Sequence, residues 1–289
     1  MKILVVGDFH GKFPRGLNSI VKNKKIDVVV SVGDYPPFSM GKIFFEKVYG
    51  NEEKNLWDKD ILGKKKYKDM RNKDYKKGES VLLKLDKIPV QVITTIGNHD
   101  HPIADDVTDV RKPKNAWEWE WNSKNHFSNF INKLKNVKRI DYSFFRFRDF
   151  VFVGARGHSF PGHVKSKAYK RSRKKLEKIF KRFSKENKKG KLIFVTHVPL
   201  YETKLDLIKA KDAHELAKNK HCGGKMFRRL VEKYQPILHL CGHVEESKGK
   251  DKVGKTVSVN CGSIHNGDLS IVEIDEKKGK VKKVEFYGK

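Results

Sequence analysis

The sequence predicts an α/β fold, and three observations carry that prediction. The first is a set of short, β-branched apolar runs bounded by glycine, which read as buried strands. The second lies just past the ends of five of these runs, where metal-ligand side chains cluster. Ile3–Val6 leads into Gly7-Asp8-Phe9-His10, Val28–Val32 into Gly33-Asp34, and the strand at Val90 into Gly97-Asn98-His99-Asp100. Leu192–Val195 leads into Thr196-His197, and Ile237–Cys241 into Gly242-His243-Val244-Glu245. In open α/β sheets, ligands bind beyond the carboxyl ends of strands, so this layout aims aspartates, histidines, an asparagine and a glutamate at one crevice. The third is the carboxyl-terminal part, where Val257–Ser263, Leu269–Ile274 and Val281–Tyr287 follow one another with few helical crossovers. That part reads as a hairpin-rich stretch completing a sheet.

The chain of 289 residues is long enough to bury a core without disulfide staples. Its strands are spread over most of its length, which predicts a single domain, residues 1–289, with insertions at about 35–78 and 101–125. The first residues enter a strand at once, without a basic segment followed by a long apolar one. No apolar run approaches the roughly 18 to 20 residues of a membrane span. A soluble, cytoplasmic protein with no membrane partner is expected. Three cysteines, Cys222, Cys241 and Cys261, lack metal-site spacing. Cys241 and Cys261 read as small buried hydrophobes, and Cys222, in a Gly-rich loop, as more exposed.

Taken in order, the segment from Tyr35 to Gly78 is polar, with scattered aromatics including Phe44, Phe45, Tyr49, Trp57, Tyr67 and Tyr75. It leaves from the Asp34 loop, so it is read as a lid or substrate-reading insert in preference to an idle surface excursion. A helix is expected from Glu79 to Ile88, closing before Pro89. The second insertion carries Trp117-Glu118-Trp119-Glu120-Trp121. Its interleaved glutamates would repel a phosphate backbone, which favours local packing over base stacking. Phe127, Phe130, Ile131 and Leu134 mark an amphipathic helix, and Phe150–Val153 a further strand. The loop after that strand offers Arg156 and His158 as candidate phosphate contacts. His221, in His221-Cys222-Gly223-Gly224, is a further candidate.

Charge is the other large observation. The formal net charge is +29, from 64 Lys and Arg against 35 Asp and Glu. A field of that size attracts polyanions, so nucleic acid is a possible partner, alongside a plain solvated lysine surface. From Lys165 to Lys191 there are 14 Lys or Arg against Glu177 and Glu186. Within it Leu176, Ile179, Phe180 and Phe183 recur at helical spacing, predicting a helix with one apolar face and cations around the rest.

A lone Gly-Asp after a strand is usually a turn with a helix cap, but five such segments in one chain form a pattern. The order Asp-x-His, Gly-Asp, Gly-Asn-His-Asp, a lone His and Gly-His resembles the calcineurin-like metallophosphoesterase superfamily from Asp8 to about Glu245. The resemblance implies a four-layer sandwich of two mixed β-sheets flanked by α-helices. It implies that Asp8 and His10 bind a first metal, Asp34 bridges, and Asn98, His197 and His243 complete a second. His99 would stand outside the metal shell, stabilising charge on the phosphoryl group or protonating the leaving oxygen. Two divalent cations fit the mixture of donors, manganese first, with magnesium, iron, zinc, nickel and cobalt compatible. Such a pair can clamp a phosphate and lower the pKa of a bridging water.

Two departures stand out. The family usually ends in Gly-His-x-His, whereas Glu245 holds the place of the second histidine and is expected to reach the first metal. Asp34 is followed by Tyr35-Pro36-Pro37-Phe38, without the Asp-Arg of the phosphoprotein phosphatase branch, which leaves the partner of His99 unassigned. Three functions are compatible: a dimetal phosphoesterase acting on nucleotides or other small phosphates, a metal-dependent nuclease holding a strand on the basic surface, or a non-catalytic nucleic-acid-binding or scaffold protein with a decayed metal site. The third is disfavoured by the presence of all seven other site residues.

Overall fold

A computed structural model describes residues 1–49, 58–100, 126–156, 167–211 and 213–288. In chain order its strands are β1 (Lys2–Val6), β2 (Val28–Ser31), β3 (Gln91–Thr94), β4 (Val137–Arg139), β5 (Ser143–Phe147), β6 (Phe150–Ala155), β7 (Leu192–Thr196), β8 (Leu238–Cys241), β9 (Gly249–Val253), β10 (Thr256–Asn260), β11 (Leu269–Asp275) and β12 (Lys280–Tyr287). The helices are α1 (Leu17–Asn23), α2 (Gly41–Ile43, continued by a π-helical turn over Phe44–Val48), α3 (Asp58–Leu62), α4 (Lys64–Leu85), α5 (His126–Ile131), α6 (Lys167–Arg182), α7 (Ser184–Lys188) and α8 (Lys225–Tyr234).

The strands form two mixed sheets, ordered β12-β11-β1-β2-β3-β4 and β5-β6-β7-β8-β10-β9. In the first, β1 to β4 run parallel, with β11 and β12 added antiparallel. In the second, β6, β7, β8 and β10 run parallel between antiparallel edges β5 and β9. Alternation along each strand divides the core. Ile3, Val5, Val28 and Val30 meet Phe150, Phe152, Ile193, Val195, Leu238 and Leu240 between the sheets. Leu4, Val6 and Val29 face outward onto Leu17 and Val21 of α1 and Val81, Leu82 and Leu85 of α4. Val151, Val153 and Phe194 face the other way onto Leu176 and Phe180 of α6 and Phe227, Leu230 and Val231 of α8. Strands covered on both faces must be apolar throughout, which is why the parallel ones read as unbroken runs. The result is helix, sheet, sheet, helix.

The expected helix at Leu176–Phe183 is present as α6, with Leu176, Phe180 and Phe183 buried. Cys241 and Cys261 are buried, and Cys222 is half-buried. Two expectations are corrected. The helix expected from Glu79 begins at Lys64 as α4. Its buried face includes Tyr67, Arg71, Asp74 and Tyr75 before Val81, Leu82 and Leu85, so helical periodicity was present but written partly in polar side chains. Those polar groups find partners: Arg71 Nη2 donates to Tyr75 Oη at 3.0 Å, and Ser39 Oγ donates to Asp74 at 2.5 Å. The carboxyl-terminal strands complete both sheets rather than one, since β9–β10 and β11–β12 are separate antiparallel pairs. Within the insertion expected at about 35–78, residues 41–48, 58–62 and 64–78 are helical. The insertion at 101–125, with its Trp117–Trp121 stretch, lies outside the described residues, as do Trp57 and His158. Among the described residues no helix is long and apolar enough to cross a membrane.

Candidate metal centre

Both sheets end their parallel strands at one edge, and the candidate ligands leave from those ends. Asp8 and His10 follow β1, Asp34 follows β2, Asn98 and His99 follow β3, His197 follows β7, and His243 and Glu245 follow β8. Among the described residues ten non-glycine residues have left-handed φ, and four of them are Asp8 (53°), His10 (46°), Asp34 (57°) and His243 (70°). Such backbone persists where the surroundings over-determine it, and it clusters at functional sites. The glycines explain how the loops close on one another. A Cβ on Gly97 would lie 2.1 Å from Asp34 Oδ1, and one on Gly242 would lie 2.3 Å from Asp8 Oδ2.

Two ligand groups result. Asp34, His197 and His243 bring one donor atom each to within 4.8 Å of one another, and so do Asp8, His10 and Glu245. In the first group His197 donates from Nδ1 to the Val32 carbonyl at 2.8 Å, which turns Nε2 into the crevice. There Nε2 meets Asn98 Oδ1 at 2.7 Å and Asp34 Oδ2 at 3.4 Å. In the second, His10 Nε2 lies 2.7 Å from Glu245 Oε1, while Glu245 Oε2 accepts from Asn266 Nδ2 at 3.2 Å. His243 N donates to Asp8 Oδ2 at 3.1 Å, which ties the β8 loop to the β1 loop across the two sheets.

The electrostatics fit a cation. Burial, with help from Asp34 and Glu245, pushes the Asp8 carboxyl up to about 7. Burial opposes charge on His197 and His10, yet Asp34 outweighs it at His197, lifting that imidazole to about 10. The Glu245 hydrogen bond together with Asp34 and Asp8 lifts His10 to about 9. Asp34 is held well below the usual carboxylate range, because His197 and His99 outweigh its burial. A field that holds protons on two crowded imidazoles is satisfied equally by divalent cations, which release those protons on binding. Carboxylate, imidazole and amide donors at this spacing suit cations of intermediate preference.

His99 stands beside both groups. Its main-chain N–H donates to Asp34 Oδ1 at 2.9 Å, and its Nε2 lies 3.8 Å from Asp34 Oδ2. Burial pushes its imidazole down to about 4. Its ring packs on Phe38, with centroids 4.7 Å apart, and edges His10 at 5.6 Å. Asp100, to which sequence reasoning gave no role, is fully buried. Its carboxylate accepts from Asp34 N (2.8 Å), Tyr35 N (2.8 Å) and Gly97 N (2.7 Å), locking the β2 and β3 loops together. An aspartate three residues after a glycine in a turn is the signal that could have exposed it. Ser263 and Asn266 were also missed; Ser263 Oγ donates to the Asp8 carbonyl at 2.9 Å.

The substrate-contact candidates are not brought into either group. Arg156 is buried, and its charge acts on Asp141. His221 is committed through Nδ1 to Asp206 Oδ1 at 2.7 Å, within a buried knot that also takes the N–H groups of Glu202, Thr203 and Gly223. His158 lies outside the described residues.

Comparison with known proteins bears on the fold and the family. Two solved crystal structures superpose over 99% of this chain and 98% of their own, with TM-scores of 0.66 and 0.57 at 17% and 15% identity. The second is a protein of Thermus thermophilus. At that identity the likeness shows the fold. An uncharacterised protein of Methanocaldococcus jannaschii is 34% identical over 87 residues, 29% of this chain and 37% of that protein. The chain thus matches little more than a third of that curated relative's length. A model of the family described as calcineurin-like phosphoesterase matches residues 1–245, from the first strand through Glu245. By that match the chain belongs to the calcineurin-like phosphoesterase family.

Proposed function

We propose that the protein is a dimetal-dependent phosphoesterase that hydrolyses phosphomonoester or phosphodiester bonds of nucleotides or other small phosphates. Asp8, His10 and Glu245 would hold one divalent cation, Asn98, His197 and His243 would hold the other, and Asp34 would serve both. Manganese is the expected metal because the donors mix imidazole with carboxylate oxygen. The bound pair supplies Lewis acidity and a hydroxide-strength nucleophile at neutral pH. The chain's own residues orient these ligands: Val32 and Asp100 fix the His197 and Asp34 side of the crevice. His99, held against Asp34 and Phe38 and kept neutral by burial, would stabilise charge on the phosphoryl group through its ring N–H, or protonate the leaving oxygen in the more acidic range where it is itself protonated.

The observation that supports this reading is the meeting of two three-residue groups of candidate ligands, drawn from both sheets, at one strand edge. Hydrolysis of an aryl phosphodiester, assayed with manganese, magnesium, zinc, iron, nickel and cobalt in turn, tests it. Turnover should require metal, stop with chelator and return on re-addition. A protein that binds no divalent ion and cleaves no ester under any of them would sink the reading.

A second reading, a nuclease that holds a strand on its basic surface, is favoured by one observation. Along α6, Lys170, Arg171, Arg173, Lys174, Lys175, Lys178, Lys181 and Arg182 are all exposed. Binding to single-stranded or duplex nucleic acid should then weaken log-linearly with salt, and reversing several of these charges should flatten the slope. No binding at low salt would remove this reading.

A further inference from the structure

The insertion after Asp34 begins with Tyr35-Pro36-Pro37-Phe38, and four of its described aromatics form a row. Phe38 lies against His99, Phe44 is 5.7 Å from Phe38, and Phe45 is 5.4 Å from Phe44 between ring centroids. Tyr49 closes the group at 6.1 Å from Phe44 and 5.9 Å from Phe45. The row is made possible by the π-helical turn, in which Tyr49 N donates to Phe44 O at 2.8 Å. Closing the turn over five residues brings positions 44, 45 and 49 to one side. Single π-turns recur at functional sites.

Tyr49 fixes the outer end of the row, packing edge-on against His214 with ring centroids 4.9 Å apart. Met40 and Val48 are the buried residues of the turn. Phe38, Phe44 and Tyr49 stay half-buried, and Phe45 is 49% exposed, one of three large hydrophobics so open among the described residues. Lys42 and Lys47 stand exposed beside them. A row of part-exposed rings that starts at the imidazole beside the metal ligands and is most exposed at Phe45, with Lys42 and Lys47 along it, matches a planar aromatic group joined to a phosphate. Every nucleobase offers a π-face, so such stacking tolerates any base.

We infer that Phe38, Phe44, Phe45 and Tyr49 form a stacking shelf for the base of a nucleotide-type phosphoester whose phosphate sits at the metal centre. This deepens the phosphoesterase reading and rests on it. Two diesters with one leaving group separate the two: thymidine 5′-(p-nitrophenyl) phosphate and methyl p-nitrophenyl phosphate. The shelf predicts that kcat/KM favours the nucleoside ester by roughly 5- to 150-fold, the range for stacking one base. In Phe45→Ala that ratio should collapse toward one, and Phe45→Trp should keep it. In the unmodified protein, thymidine should compete with methyl ester hydrolysis where ribose does not. Hydrolysis with no nucleoside preference, or a preference unchanged in Phe45→Ala, overturns the shelf and leaves the phosphoesterase standing. If neither diester is cleaved with any divalent metal, the phosphoesterase reading falls and the shelf with it.

Discussion

The two halves of the candidate centre are built differently. The half around His197 is enclosed: His197 and Asp34 side chains are 0% and 2% exposed. Its imidazole is aimed by a main-chain carbonyl, and its ligands hang from strands of both sheets. The half around His10 is open, with the His10 and Glu245 side chains 21% and 30% exposed. Glu245 opens a short 3₁₀ turn rather than capping a strand. The enclosed half offers one carboxylate with imidazoles and an amide. Besides the shared Asp34, the open half offers two carboxylates, Asp8 and Glu245, and one imidazole. Burial and fixed second partners make a site tight and slow to exchange, whereas solvent access and extra anionic oxygen favour a harder, more exchangeable cation. The two metals are therefore expected to differ in retention, the His10 one leaving first.

The change with the largest expected effect is the one that breaks both halves together. Asp34→Asn should lose most bound metal and nearly all turnover, read by metal analysis and kinetics. His99→Ala should keep both metals while the rate drops by roughly 10²-fold or more, the scale of general acid catalysis. Loss of metal from that variant would contradict the separation of His99 from the ligands. Asp100→Asn sharpens the contrast, because Asp100 locks loops on the enclosed side. We expect a loss of about 10- to 100-fold in metal affinity or activity, the usual effect of disturbing a ligand's supporting hydrogen bonds. Metal titration should show the His197 half weakened more than the other.

The smallest effect concerns what stands behind the enclosed half. His239 is wholly buried, with Nε2 2.8 Å from Thr196 Oγ1 and Nδ1 2.8 Å from Ser258 Oγ. Burial pushes its imidazole down to about 3. The unfolded chain therefore binds the proton first, from about pH 6.5 downward. Stability is full above that pH and falls as pH drops toward 3. Between pH 7 and pH 5 this amounts to about 2 kcal/mol. Denaturant unfolding of wild type and His239→Gln at both pH values checks it, the variant lacking that increment.

How much of this was legible depends on where each residue sits. The ligands were readable because each follows an apolar strand buried on both faces, so Gly-Asp or Gly-His stands out at its end. The strands that escaped notice, β4, β5 and β9, are all sheet edges. An edge faces solvent, and β9, Gly-Lys-Asp-Lys-Val, carries the charges that blunt edge pairing. Asp100 was visible as a letter of the motif but not as a clamp, because its partners are main-chain N–H groups 65 and 66 residues away at Tyr35 and Asp34. The start of α4 was hidden by a buried face that includes an arginine and an aspartate. Glu245 was legible only as a departure, and the structure brings it to His10.

The difference between the halves rests on Glu245 being a ligand, so metal stoichiometry in its variants tests the account most directly. Wild type and Glu245→His should each bind two divalent ions per chain. In Glu245→His the alkaline-going rise of the pH–rate profile should move to lower pH, since one fewer anionic ligand leaves the cluster a stronger Lewis acid. Glu245→Ala should keep the metal at His197 and lose the one at His10. An alanine variant equal to wild type in both metal content and rate would contradict the account.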